Sequence, residues 1–190
     1  MSTEKPVLGY WKMRGLAHPI RMLLHYKEAD FVNKMYEQGD APEYNKDSWY
    51  KEKFSLGTAK SKIRNDMIYS LTVFDLYRFF DVTYSDQFET LKTPFLESLE
   101  SRVEKYSKYL AQDEFFGDSE LVYADFCAYS LLDVFNQFKP GCVDSFSNLK
   151  AYMSRMSSLP TLKSFLNSEE GMRYGPFNSK YATYGGKSLQ

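Results

Sequence analysis

Tyr10 ends a short apolar run, Val7-Leu8-Gly9, and is followed by Trp11, a glycine at Gly15 and a proline at Pro19. Proline is favoured in the first turn of a helix, so the order reads strand, turn, helix. That order puts a phenol at the carboxyl end of a strand beside a helix N-terminus, where ligands of open α/β sheets bind. A strand-end tyrosine that simply packs is the other reading of the same residue. A second group of chemistry-bearing side chains is Val73, Tyr77, Phe80 and Tyr84. Their spacing of i, i+4, i+7 and i+11 places them on one helix stripe, which is either an aromatic pocket wall or ordinary core. His18 and His25 are seven apart and share a helix face, but no carboxylate or cysteine is spaced to complete a site with them. Cys127 and Cys142 have neither metal-ligand nor redox spacing and read as buried free thiols.

The elements that position these residues follow from periodicity. Residues 6–11 read as a first strand, Pro19 to Ala29 as a helix buried along Ile20, Leu23, Leu24 and Lys27, and Phe31 to Glu37 as a second strand. Gly39-Asp40-Ala41-Pro42 breaks the pattern, and Glu43 to Phe54 reads as partly helical. The pattern is β-α-β-α, the first half of a thioredoxin-like domain. After Gly57 every strong pattern is helical. Ile63, Met67, Leu71 and Phe74 share one side of a long helix. A second helical segment opens near Pro94 and carries Phe95, Leu99, Val103, Tyr106 and Leu110. Tyr123 to Phe138 is apolar around most of its circumference and should be central. Shorter helices follow near Leu149 to Met156 and Thr161 to Leu166, and Gly171 to Gln190 should wrap the surface. The expected division is an α/β domain over residues 1–57 and an all-α bundle over 58–190.

Composition narrows the function. The 190 residues carry 24 basic and 25 acidic side chains, well mixed, for a net charge of −1. With no basic face or tail, nucleic acid is not an expected partner. No apolar run is long enough to span a bilayer, and Met1-Ser2-Thr3-Glu4-Lys5 lacks a signal-peptide pattern. A reduced cytoplasmic protein is the expectation. The 16 tyrosines and 15 phenylalanines suit apolar pockets, interfaces or core.

Three stretches resemble the mu-class glutathione transferases. Leu8-Gly9-Tyr10-Trp11 with Arg14-Gly15-Leu16 is similar to their first-strand signature, and Trp49 with Glu52-Lys53-Phe54 to their glutathione-contacting loop. Asp125-Phe126, within Gly117 to Phe126, resembles the folding motif of the helical domain. The resemblance implies a cytoplasmic homodimer that uses reduced glutathione as co-substrate, needs no metal or other cofactor, and acts on small hydrophobic electrophiles. A free thiol has a pKa near ~8.5, and a phenol donating a hydrogen bond to sulfur favours the anion at neutral pH. By its place in the motif, Tyr10 is that phenol. Trp11, Leu16, Lys46, Trp49 and Lys53 match glutathione-binding positions. Lys46 stands where an arginine is common, keeping the charge but losing the bidentate fork. Met13, Val73, Tyr77, Phe80 and Tyr84 match electrophile-binding positions. Tyr84 is at the position whose hydroxyl assists a leaving group or epoxide oxygen as an acid.

The match breaks after Leu56-Gly57, which runs straight into Thr58-Ala59-Lys60-Ser61-Lys62-Ile63-Arg64, similar to the start of the family's fourth helix. The segment for two strands and a helix is absent, and with it the cis-proline and Gln-Ser pair that bind glutathione in the family. Impaired conjugation is therefore the expectation. The alternatives are a non-catalytic relative that binds apolar ligands or pairs with another subunit, and a fragment whose first 57 residues do not fold stably.

Overall fold

In this computed structural model the described residues are 5–40, 43, 45–50, 63–117, 120–172, 176–177 and 182–185, with the backbone alone for 49, 50, 63–65 and 172. The chain opens with β1 (Val7–Trp11), a single 3-10 turn (Gly15–Ala17), α1 (His18–Tyr26) and β2 (Val32–Tyr36). A four-residue helix, α2 (Asp47–Tyr50), follows. The described elements that follow are helices: α3 (Ile63–Thr83), α4 (Phe88–Leu110), α5 (Tyr123–Phe138), α6 (Ser147–Ser158), α7 (Pro160–Leu166) and α8 (Glu169–Met172). The division expected after Gly57 falls outside the described residues.

β1 and β2 are parallel and in register from Val7 opposite Val32 to Trp11 opposite Tyr36. Parallel neighbours need a crossover, which α1 supplies. Among the described residues the sheet has these two strands alone. α1 packs on α5 and α7, seating the α/β half on the helical half.

The α1 face expected to be buried is not the buried one. Ile20, Leu23 and Leu24 are half-buried and Lys27 is exposed, while His18, Arg21 and Met22 are buried. Arg21, whose charge reads as solvated, turns inward to reach backbone carbonyls. α3 shows a similar offset. Met67 and Phe74 are 51% and 53% exposed, and the buried side runs through Ile68, Thr72, Asp75, Phe79 and Val82. The true face lies about one residue, or 100°, from the expected one. It carries a polar pair in Thr72 and Asp75. The Asp75 carboxylate accepts hydrogen bonds from Arg102 Nη1 at 2.6 Å and Tyr106 Oη at 3.1 Å, both on α4. Burial and the neighbouring Asp75 charge hold the Tyr106 phenol well above its ordinary pKa.

α4 begins at Phe88, so Pro94 lies inside the helix rather than at its start. The proline forfeits one backbone hydrogen bond there. The expected core residues Phe95, Leu99, Val103, Tyr106 and Leu110 are all buried. α5 has the bounds read from the sequence and occupies the centre, with Phe126, Leu132 and Phe135 essentially inaccessible. Asp125 fastens its start: one carboxylate oxygen accepts the Phe116 N–H at 2.8 Å and the other the Val122 N–H at 2.9 Å. Those donors favour the carboxylate, yet burial outweighs them and raises its pKa to about 6. Cys127 and Cys142 are free and buried.

The tail does more than wrap the surface. Phe177 is 1% exposed and meets Phe79 at a ring separation of 5.3 Å. The Thr183 N–H donates to Thr83 O at 2.8 Å, and the Tyr184 ring stacks on Phe88. Burying one phenylalanine contributes roughly 1.5–3 kcal/mol, enough to draw an otherwise polar tail onto the body.

Candidate functional site

Tyr10 stands opposite Met35 at the end of β1, half-buried, with its ring facing the turn that leads into α1. Gly15 in that turn has φ +42°, and a β-carbon there would lie 2.8 Å from both Cε1 and Oη of Tyr10. Glycine is thus required by conformation and by space. The close approach lets the Leu16 N–H donate to Tyr10 Oη at 3.3 Å. A donor on the phenol oxygen stabilises negative charge there, so the hydroxyl becomes a better donor to an anion in front of it.

The turn is fixed from inside by Arg21, only 1% exposed. Its Nη1 donates to Met13 O at 2.7 Å and Arg14 O at 3.4 Å, and its Nη2 to Trp11 O at 3.5 Å. The guanidinium also lies 6.0 Å from the centre of the Tyr10 ring. A buried cation needs such acceptors, and carbonyls that accept from a planar fork are held in one arrangement. Arg14 ties the same turn to the helical half, donating to Asp133 Oδ2 at 2.9 Å. From the tail, the Pro176 carbonyl accepts the Gly15 N–H at 3.4 Å.

Beside the turn is an aromatic group. Tyr84 Oη donates to the Met13 sulfur at 3.7 Å. The Tyr84 ring meets Phe80 and Phe177 edge-on at 5.6 and 5.8 Å, and Phe80 meets Tyr77 at 5.6 Å. An apolar cleft adjoins this group, lined by Leu16, Val73, Leu76, Leu131, Val134 and Phe177 among others. Cys127 also lines it, but burial pushes its thiol up to about 12, so it offers no thiolate.

The structure therefore brings Met13 and Leu16 of the turn together with Val73, Phe80 and Tyr84, Tyr77 joins through Phe80, and Tyr10 on β1 reaches this group through the turn. Tyr77 itself is 53% exposed and forms the outer edge. Lys46 is exposed just ahead of α2, on which Trp49 falls; the Trp49 side chain and all of Lys53 lie outside the described residues. Trp11 is half-buried next to Tyr10. Sequence reasoning missed Arg21 and Phe177. Arg21 carries a charge that reads as solvated, and the one signal for Phe177 is an apolar Pro-Phe pair within a polar tail. Burial lowers the His18 pKa well below its ordinary value, with Arg14 and Arg21 adding to the effect. His25 stacks on Phe165 at 4.3 Å and His18 meets the same ring at 5.7 Å, so both pack against α7. Among the described residues no group of three or more His, Cys, Asp or Glu is placed to hold a metal ion. No described helix is long and apolar enough to cross a membrane.

Comparison with known proteins gives the family. The family model for the N-terminal domain of glutathione S-transferase matches residues 6–61, and that for the C-terminal domain matches residues 73–169. Glutathione S-transferase Mu 1 of Homo sapiens is 32% identical over 216 aligned positions, covering 95% of this chain and 99% of the relative. Glutathione S-transferase Mu 1 of Oryctolagus cuniculus is 33% identical, covering 94% and 98%. Against a chain of 190 residues, 216 positions leave at least 26 of the alignment unmatched here, in keeping with a missing segment. The crystal structure of the glutathione S-transferase Blo t 8 superposes with a TM-score of 0.78 over 94% of this chain and 99% of that one, at 24% identity, which shows the fold. The chain belongs to the glutathione S-transferases and, within them, to the mu class.

Proposed function

We propose that this protein joins reduced glutathione to small hydrophobic electrophiles, with Tyr10 as the group that stabilises the thiolate. The observation that carries the reading is the Tyr10 hydroxyl, held at the end of β1 and polarised by the Leu16 N–H. In the proposed step the sulfur anion attacks an electrophilic carbon. A carbon–sulfur bond forms, and the leaving group departs with the electron pair of the broken bond. For an epoxide the ring oxygen keeps that pair and takes a proton, for which Tyr84 is the donor. Met13, Phe80 and Tyr84, with Val73 and Tyr77 at the edges, receive the apolar part of the electrophile. Trp11, Leu16, Lys46, Trp49 and Lys53 receive glutathione. Turnover is expected to be low, since the cis-proline and Gln-Ser pair that the family resemblance assigns to glutathione binding have no counterpart after Gly57 in this sequence. The protein works in the cytoplasm and as a homodimer, as the family resemblance implies.

Steady-state conjugation of glutathione to an activated aryl halide tests the reading. Tyr10→Phe is expected to lower kcat about 100-fold, the scale of a lost transition-state hydrogen bond, with an unchanged unfolding transition. An unaffected rate would remove Tyr10 from the mechanism.

A further inference from the structure

The turn that carries the Tyr10 environment is linked to α8 of the helical half through a chain of polar contacts. Arg21, which pins the carbonyls of Trp11, Met13 and Arg14, also donates from Nε to Asn33 Oδ1 at 3.3 Å. Asn33 sits on β2, and its Nδ2 donates to Glu170 Oε1 on α8 at 2.6 Å. A carboxylate only accepts, so Glu170 decides which end of the Asn33 amide faces it. The amide oxygen is thereby turned toward the buried guanidinium. Without Glu170 the amide is free to present its NH2 to Arg21, a donor against a donor.

Glu170 sits on a closely packed helix end. His25 Nε2 lies 3.6 Å from its other carboxylate oxygen, beyond hydrogen-bond reach, and the His25 ring is stacked on Phe165. α8 presses on the end of α7 so closely that a β-carbon on Gly171 would meet the Phe165 carbonyl at 2.1 Å. The Gly171 N–H donates to Ser168 Oγ at 3.1 Å. A short helix seated this tightly gives the carboxylate a defined position.

We infer that Glu170 and Asn33 are positioning residues for Tyr10, acting through Arg21 and the Gly15–Leu16 turn. The inference rests on the reading of Tyr10 as the thiolate-stabilising group. The helical half thus does more than carry the apolar site: α8 sets the direction of the N–H that polarises the phenol. Loss of Glu170 frees Asn33, loosens Arg21 and lets the turn carbonyls move, so the Leu16 N–H no longer points steadily at Tyr10 Oη.

The test uses the full chain with Glu170→Ala, Glu170→Gln and Asn33→Ala. Glu170→Ala and Asn33→Ala are each expected to lower kcat about tenfold, with KM for the electrophile unchanged, since one well-placed hydrogen bond is worth about that factor. Glu170→Gln, which keeps an acceptor for Asn33, is expected to recover most of the loss. In Glu170→Ala, amide hydrogen exchange over residues 12–17 should quicken about tenfold, while α5 exchanges as before. Unchanged exchange at the turn overturns the inference whether or not the protein conjugates. Faster exchange with unchanged kcat makes the chain of contacts a structural brace and also overturns it. A wild-type protein that conjugates nothing overturns the functional reading instead, and exchange alone then decides whether α8 governs the turn.

Discussion

Leu132, Leu149 and Tyr152 in the helical half are completely buried, whereas no residue of β1 is, and in β2 only Tyr36 is. The two halves are held by different means. Helices α4, α5 and α6 meet chiefly through apolar side chains, while the buried Asp125 carboxylate fixes the start of α5 and the buried Asp75 carboxylate ties α3 to α4 through Arg102 and Tyr106. The α/β half is seated by α1 and by directed polar contacts: Arg14 to Asp133, Asn33 to Glu170, and Gly15 to the Pro176 carbonyl. Apolar burial is large and tolerant of direction, while hydrogen bonds add little net stability and depend steeply on geometry. The helical half therefore sets how stable the protein is, and the polar seams set where Tyr10 points.

Changes in each half should separate these roles. Leu132→Ala, in the centre of α5, is expected to cost roughly 2–5 kcal/mol in thermal unfolding while conjugation per folded molecule stays constant. Gly15→Ala should do the reverse. Its positive φ and the 2.8 Å approach of Tyr10 make any side chain displace the phenol, so kcat should fall at least about tenfold for a stability loss of about 1–3 kcal/mol.

How much of this was legible in the sequence depended on what each residue does. α5 was readable because it is apolar nearly all round and its neighbours are punctuated by Pro140-Gly141. α3 is hard to read because it bears apolar side chains on two sides, and its buried side includes Asp75 and Thr72. The group of Tyr10, Met13, Phe80 and Tyr84 was recognisable from the first-strand motif and the helical stripe. The chain from Glu170 to Arg21 was not, since it joins residues far apart in sequence whose charge reads as solvated surface. α8, at four residues, is too short to leave a periodic signal.

A smaller effect concerns pH. Asp125 has a folded pKa near about 6, above the ordinary carboxylate value, so between roughly 4 and 6 the folded state keeps a proton that the unfolded chain loses. This group alone makes stability decline as pH rises through that window. Denaturant midpoints measured across it should show the decline, and Asp125→Asn should flatten the slope while lowering stability overall. The smallest effect belongs to the exposed ion pair between Lys5 and Asp30, at 2.8 Å with side chains 58% and 73% accessible. Lys5→Ala should change stability by less than about 0.5 kcal/mol and leave turnover alone. A larger loss would show that the edge of the α/β half contributes more than its exposure suggests.

The proposed function requires the α/β half to present a working thiolate site, and a calorimetric titration of the wild-type protein with reduced glutathione asks whether it does. Saturable heat with a Kd in the micromolar to millimolar range, and weaker binding of the thiolate in Tyr10→Phe, is the expected result. No heat of binding from a sample that unfolds cooperatively would contradict it and leave a helical scaffold with an apolar cleft.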